Sequence, residues 1–143
     1  MILLDAYALV ALLGEELAAG EVETLLRRGD CAVSGVNLAE AVDVSCRVHG
    51  LAIDEVREVL EALLLDGRLA VRAPDREIAW RAAALRCAHY ARKTCEISLA
   101  DCFLIAAATA EDEIATADPA LAQVARAEGL RILALPDSTG TRP

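Results

Sequence analysis

Four acidic residues stand where this chain should pass from one structural element to the next. Asp5 ends the apolar run Ile2-Leu3-Leu4, Glu40 closes Asn37-Leu38-Ala39-Glu40, Asp101 follows Ser98 by three residues, and Asp118 precedes Pro119. Carboxylates brought together resist ionisation unless a cation joins them. Oxygen donors without histidine or thiolate suit a hard ion, Mg2+ or Mn2+. Such an ion can hold a phosphodiester, stabilise charge developing on it and lower the pKa of an attacking water. The chemistry implied is metal-assisted hydrolysis.

Each acid alone has a simpler reading. Ser98-x-x-Asp101 has the form of a capping box with Asp in place of Glu, and Asp118 before Pro119 has the form of an N-cap. The set is more telling. Asp101 precedes Cys102-Phe103-Leu104-Ile105-Ala106-Ala107-Ala108, a helix apolar almost all round, and Asp5 has no capping duty that fully explains it.

The elements that must position these acids follow from periodicity and caps. Residues 1–4 predict a buried strand, and 7–13 and 15–28 predict helices. Gly29-Asp30 breaks the pattern before a second strand at 31–33. Ser34 should cap a helix over 36–48 closed by Gly50, and Asp54 a helix over 55–65 ended by Asp66-Gly67. A third strand is expected at 69–71, then a long helix from Pro74-Asp75 to about Lys93. Ser98 should cap a helix over 99–111, before a fourth strand at 114–116. Asp118-Pro119 opens a helix of about 119–128, and Gly129 ends it before a fifth strand at 131–135. Short apolar strands alternating with amphipathic helices predict an α/β fold, a three-layer α/β/α sandwich around a parallel sheet of about five strands. Its functional crevice should lie at the carboxyl ends of the strands. Residues 1–135 should form a single domain, with 136–143 a flexible tail.

Composition narrows the class. The 143 residues carry 14 Lys and Arg against 23 Asp and Glu, a net charge of −9, which argues against a general DNA-coating protein. Hydrophobic residues make up 56% and aromatics 3%, too apolar for disorder and poor in base-stacking surface. No 18-residue stretch is free of charge, and the N-terminus lacks a basic region before its apolar run, so neither a membrane span nor a signal peptide is expected. The five cysteines have no Cys-x-x-Cys spacing, and His49 and His89 are far apart, so zinc is not indicated and buried reduced thiols are expected. These features together predict a soluble cytoplasmic protein.

Taken in order, the segments Ile2-Leu3-Leu4-Asp5, Ser34-x-x-Asn37-Leu38-x-Glu40, Ser98-Leu99-Ala100-Asp101 with its apolar helix, and Ile114-Ala115-Thr116-Ala117-Asp118-Pro119 give the sequence its family resemblance. It resembles a PIN domain, in particular the VapC-type ribonuclease toxins of toxin–antitoxin pairs, over nearly the whole chain. The resemblance implies endonucleolytic cleavage of RNA by Mg- or Mn-activated water, leaving 5′-phosphate and 3′-hydroxyl ends. It assigns Asp5, Glu40, Asp101 and Asp118 to the acidic metal site, Asp5 and Asp101 most directly. Thr116 would orient Asp118 or the water. The family usually has Ser or Thr after the first Asp and a small polar residue next; here they are Ala6 and Tyr7. Two other readings therefore stand beside the toxin: a catalytically degenerate interaction module, and a PIN nuclease of RNA processing. A receiver domain is excluded by Ala6 and by Val71-Arg72-Ala73 after strand three, and a haloacid-dehalogenase-like phosphatase by Asp5-Ala6-Tyr7.

An acidic protein that holds RNA needs its cations clustered. Residues 68–93 hold seven Lys and Arg against Asp75 and Glu77. At about 100° per residue, Arg81, Arg86, His89, Arg92 and Lys93 fall on one arc of the expected helix, a candidate RNA-binding ridge. Trp80, Ala83, Ala84, Cys87, Tyr90 and Ala91 fall on the arc expected to face the core. The acidic remainder suits a basic partner. By resemblance, that partner is a small DNA-binding antitoxin lying across an apolar groove offered by helices 7–13 and 15–28, which would also offer a homodimer face.

Overall fold

Strands of three or four residues form the centre of the molecule, the three inner ones buried and the two edge ones partly exposed. A computed structural model describes residues 1–143. The chain runs β1 (Ile2–Leu4), α1 (Ala6–Leu13), α2 (Ala19–Arg27), β2 (Cys31–Ser34), α3 (Gly35–Arg47), α4 (Ile53–Leu65), β3 (Leu69–Arg72), α5 (Arg76–His89), α6 (Leu99–Ala107), β4 (Glu113–Thr116), α7 (Pro119–Ala127) and β5 (Arg131–Ala134). The five strands pair in parallel in the order β3-β2-β1-β4-β5, with Leu3 opposite Ala32 on one side and Ile114 on the other. Side chains alternate across a strand, so Ile2 and Leu4 enter a core with Leu9, Val33 and Val56, and Leu3 enters another with Ile97, Leu104 and Ile105. Both faces are covered, which is why no polar residue interrupts β1. This is the expected three-layer α/β/α sandwich.

The chain leaves β1 toward β2 on one side and β4 lies on the other, so the strand order reverses between β1 and β4. Helices begin at the carboxyl ends of these strands, and their caps are the acids and hydroxyls singled out above. Asp5 accepts the Ala8 N–H at 2.8 Å, Ser34 caps α3 through the Asn37 N–H, and Ser98 with Asp101 completes the capping box of α6. Asp118 caps α7 through the Ala120 and Leu121 N–H groups. Asp5 thus does have a capping duty, contrary to expectation.

Several boundaries differ from the sequence reading. The helix expected at 15–28 begins at Ala19, because Glu15 takes a left-handed conformation (φ 54) after the Gly14 cap. Asp54 lies within the first turn of α4, whose N-cap is Ala52. The helix expected to reach 111 stops at Ala107: Arg72 donates to the Ala107 carbonyl at 2.6 Å, while Asp112 takes both the N–H and the hydroxyl of Thr109. That buried Asp112 also binds Arg72 at 2.7 Å and the Met1 amino group at 3.0 Å.

The largest correction concerns α5. It ends at His89, and the face expected inward is turned to solvent: Trp80 is 70% exposed, and Ala83, Ala84, Cys87 and Ala91 are exposed with it. Ile78, Ala82 and Leu85 pack against the second core instead, and Ala82 is fully buried. A small residue at the contact lets α5 lie close to α6, where an indole would overfill a close-packed layer. Residues 136–143, read as a flexible tail, make a turn on the Asp137 carboxylate, and Arg142 pairs with Glu21 at 2.6 Å. Cys31, Cys95 and Cys102 are buried free thiols as expected, but Cys87 is exposed. No helix is long and apolar enough to cross a membrane.

Candidate active site

The reversal point between β1 and β4 opens into a pocket of about 250 Å³ lined by Asp5, Glu40, Asp101 and Asp118, with Ala6, Tyr7, Val10, Val44 and Ser98 completing its wall. Four acids remote in sequence thus share one pocket because each lies at or near the start of a helix that rises from the sheet's carboxyl edge.

Their environments differ. Asp5 is 3% exposed, with Oδ1 on the Ala8 N–H and Oδ2 accepting the Thr116 hydroxyl. Burial pushes its pKa up to about 7; the two hydrogen bonds oppose this, and Asp101 and Asp118 add to it. Asp101 is likewise raised, first by burial, with the Ser98 bonds pulling down, Asp118 pushing up and Arg86 pulling down. Glu40 is raised by burial and then by Asp101, Asp43 and Asp118. Asp118 is exposed, and one of its oxygens holds the cap of α7.

The caps leave carboxylate capacity free. Asp101 spends Oδ2 on the Ser98 N–H and Asp118 spends Oδ1 on α7, so each keeps a second oxygen for the pocket. No three His, Cys, Asp or Glu side chains converge closely enough to form a ready-made ligand shell. The acids share the pocket and feel one another's charge without meeting at a point, as like charges should. An oxygen-only donor set, in which burial shifts Asp5, Glu40 and Asp101 toward the protonated form, fits a hard divalent cation.

Thr116 does more than expected. Its hydroxyl donates to Asp5 and accepts the Asp118 N–H at 2.9 Å, so it orients Asp5 rather than the Asp118 carboxylate. Ala6 brings no hydroxyl. Tyr7 turns its own hydroxyl away, donating to the Pro136 carbonyl at 3.0 Å, and burial pushes that phenol up to about 12. Asn37, quoted only as part of a motif, is fully buried; it exchanges bonds with Ser34, and its Nδ2 has no partner.

Residues 2–127 match the family model of the PIN domain. The chain belongs to the PIN domain family. That family is one of nucleases. Among curated proteins none matches the sequence. Solved structures share the fold. The VapBC2 complex from Rickettsia felis, bound to a DNA fragment from its promoter, has a TM-score of 0.63 at 20% identity, covering 93% of this chain and 98% of that one. A toxin–antitoxin complex from Klebsiella pneumoniae has 0.59 at 20% identity, covering 82% and 87%. FitAcB from Neisseria gonorrhoeae has 0.57 at 23% identity, covering 93% and 96%.

In this PIN domain the expected basic ridge is dispersed. Arg72 is committed to Asp112 and His89 to Glu128 at 2.8 Å. Arg81 lies on the rim of a separate, mostly apolar hollow shared by α5, α6 and Leu130. Arg92 and Lys93 lie beyond the helix in a turn that the Ala91–Cys95 bridge closes. Arg86 draws the Asp101 carboxyl down against its burial. The Arg86–Tyr90 contact went unforeseen, although its i, i+4 spacing was there to read.

Proposed function

We propose that this PIN domain is a metal-dependent endoribonuclease and the toxin of a toxin–antitoxin pair. The observation that carries the reading is the gathering of Asp5, Glu40, Asp101 and Asp118 in one pocket at the point where the strand order reverses. Asp5 and Asp101 would hold Mg2+ or Mn2+ most directly, with Glu40 and Asp118 completing the site. When bound, the ion supplies positive charge at a phosphodiester and a more acidic water. Thr116 holds the Asp5 carboxylate in place, the duty a hydroxyl at position 6 would otherwise share. The α6 and α7 caps fix Asp101 and Asp118 on rigid helix starts.

The net charge of −9 suits a basic antitoxin, and the similar folds include toxin–antitoxin complexes. A hollow of about 470 Å³ between the α1–α2 pair and α4, lined by Leu12, Leu13, Leu26, Val59 and Leu63 with Glu15, Glu23, Arg27 and Arg68 at its edge, has the apolar floor and mixed-charge rim for an amphipathic segment. The α1–α2 pair would also offer the homodimer face. The setting for all of this would be the cytoplasm, where RNA is made.

Incubation of the purified protein with structured RNA tests the reading. Cleavage in Mg2+ or Mn2+ that EDTA and Asp101→Asn both abolish is expected, with 5′-phosphate products. Cleavage indifferent to EDTA would reject it.

A further inference from the structure

Three of the four pocket acids are fixed by hydrogen bonds and one is not. Asp5 is held by Ala8 and Thr116, Asp101 by the Ser98 N–H, and Asp118 by the start of α7. Glu40 takes no hydrogen bond; burial and the charges of Asp101, Asp43 and Asp118 are what act on it. One turn earlier on the same helix lies the opposite defect. Asn37 is fully buried, and its Nδ2 carries two N–H groups with no acceptor. The Ser34 hydroxyl accepts the Asn37 backbone N–H at 3.1 Å and donates to Asn37 Oδ1. Turning the amide over would offer Nδ2 to Ser34, but it would leave both Oδ1 and the hydroxyl proton without a bond. Ser34 therefore fixes which way the amide faces. A buried donor left unpaired opposes folding.

An acceptor is within reach. Residues three apart on a helix are neighbours, with about 5–6 Å between their Cβ atoms, and Asn37 and Glu40 both lie within α3. We infer that Asn37 is a positioning residue for the carboxylate pocket: when the pocket holds a divalent cation, Asn37 Nδ2 donates to the Glu40 carboxylate and keeps it with the other acids. Ser34 then serves the pocket at one remove, as the cap of α3 and as the group that aims the amide. The inference rests on the metal-site reading and deepens it, supplying the anchor that the fourth acid lacks.

Two measurements test it without RNA. In 1H–15N spectra the Asn37 side-chain amide, assigned by its loss in Asn37→Leu, should shift on addition of Mg2+ and stay in place in Glu40→Ala. In calorimetry Asn37→Leu should weaken Mn2+ binding by about ten-fold, the scale of a hydrogen bond to a charged group. It should have little further effect in the Glu40→Ala background, where the acceptor is gone. Asn37→Ala removes the same donors with less bulk and should give the same loss. In EDTA, Asn37→Leu removes the unpaired donor along with the acceptor of Ser34, so its melting temperature should stay within about 4 °C of wild type. A lower melting temperature with Mn2+ affinity unchanged would make Asn37 merely structural and overturn the inference. An equal loss of affinity with and without Glu40 would also overturn it, since the effect would then not pass through that acid. Either result leaves the metal site standing. No Mn2+ binding by folded wild type would instead reject the metal-site reading, and the inference with it.

Discussion

The Thr116 hydroxyl donates to the buried carboxylate of Asp5 while accepting the backbone N–H of Asp118 at 2.9 Å. One side chain at the end of β4 therefore ties the acid after β1 to the loop that carries another. A hydrogen bond to a charged group contributes about 1.5–3 kcal/mol. Thr116→Val is expected to weaken Mn2+ binding by roughly ten- to a hundred-fold on that scale, and Thr116→Ser to retain most of it. Titration calorimetry checks both.

The metal-free protein should lose stability between mildly acidic and mildly alkaline pH. Asp5 has a pKa of about 7 when folded against 3.8 as a free side chain, so the native state holds a proton that the unfolded chain gives up. Its contribution is fully present below about pH 4 and is lost as pH rises through 7, at about 1.4 kcal/mol per unit of difference in pKa. Glu40 and Asp101 are shifted in the same direction. In EDTA the melting temperature should fall from pH 5.5 to 8, and saturating Mn2+ should remove the fall. Asp5→Asn should flatten the metal-free profile; an unchanged slope in that variant would assign the effect elsewhere.

Capping and metal holding can be separated at Asp118. Asn caps a helix about as well as Asp, whereas Ala loses about 1 kcal/mol. Asp118→Asn should keep the urea midpoint of wild type and lower Mn2+ affinity. Asp118→Ala should lower both.

Asp112 is an anchor of the fold outside the pocket. It is 3% exposed and receives Arg72, Thr109 and the Met1 amino group, and despite its burial these hold its carboxyl well below the usual range. Asp112→Ala leaves Arg72 without its carboxylate and should cost about 3 kcal/mol in urea unfolding. The contribution of Asp112 is present above about pH 4, the ordinary carboxylate range, and is lost as pH falls below it. That is opposite in sign to Asp5.

The strands and the helix starts were legible because their causes are local. Ile2-Leu3-Leu4 is too apolar for anything but a strand covered on both faces, and Ser34, Ser98 and Asp118 act on N–H groups two or three residues away. What was not legible depended on distant partners. The end of α6 is set by Arg72, 35 residues upstream of Ala107, and residue 142 is tied to Glu21. In α5 the hydrophobicity of Trp80 pointed one way and the volume available at Ala82 the other; packing against α6 decided it. The four acids were expected as a set at one crevice, and PIN-like spacing and element ends sufficed for that; the strand order that brings them to one pocket is what the structure adds.

Mn2+ binding tests the central claim most directly, since it requires no RNA target. Calorimetry at pH 7.5 on wild type, Asp5→Asn and Asp101→Asn, with thermal melts to show that each is folded, would decide it. The account predicts Mn2+ binding by wild type that both substitutions abolish or weaken at least ten-fold while both variants stay folded. Equal binding by all three, or none by wild type, would contradict it.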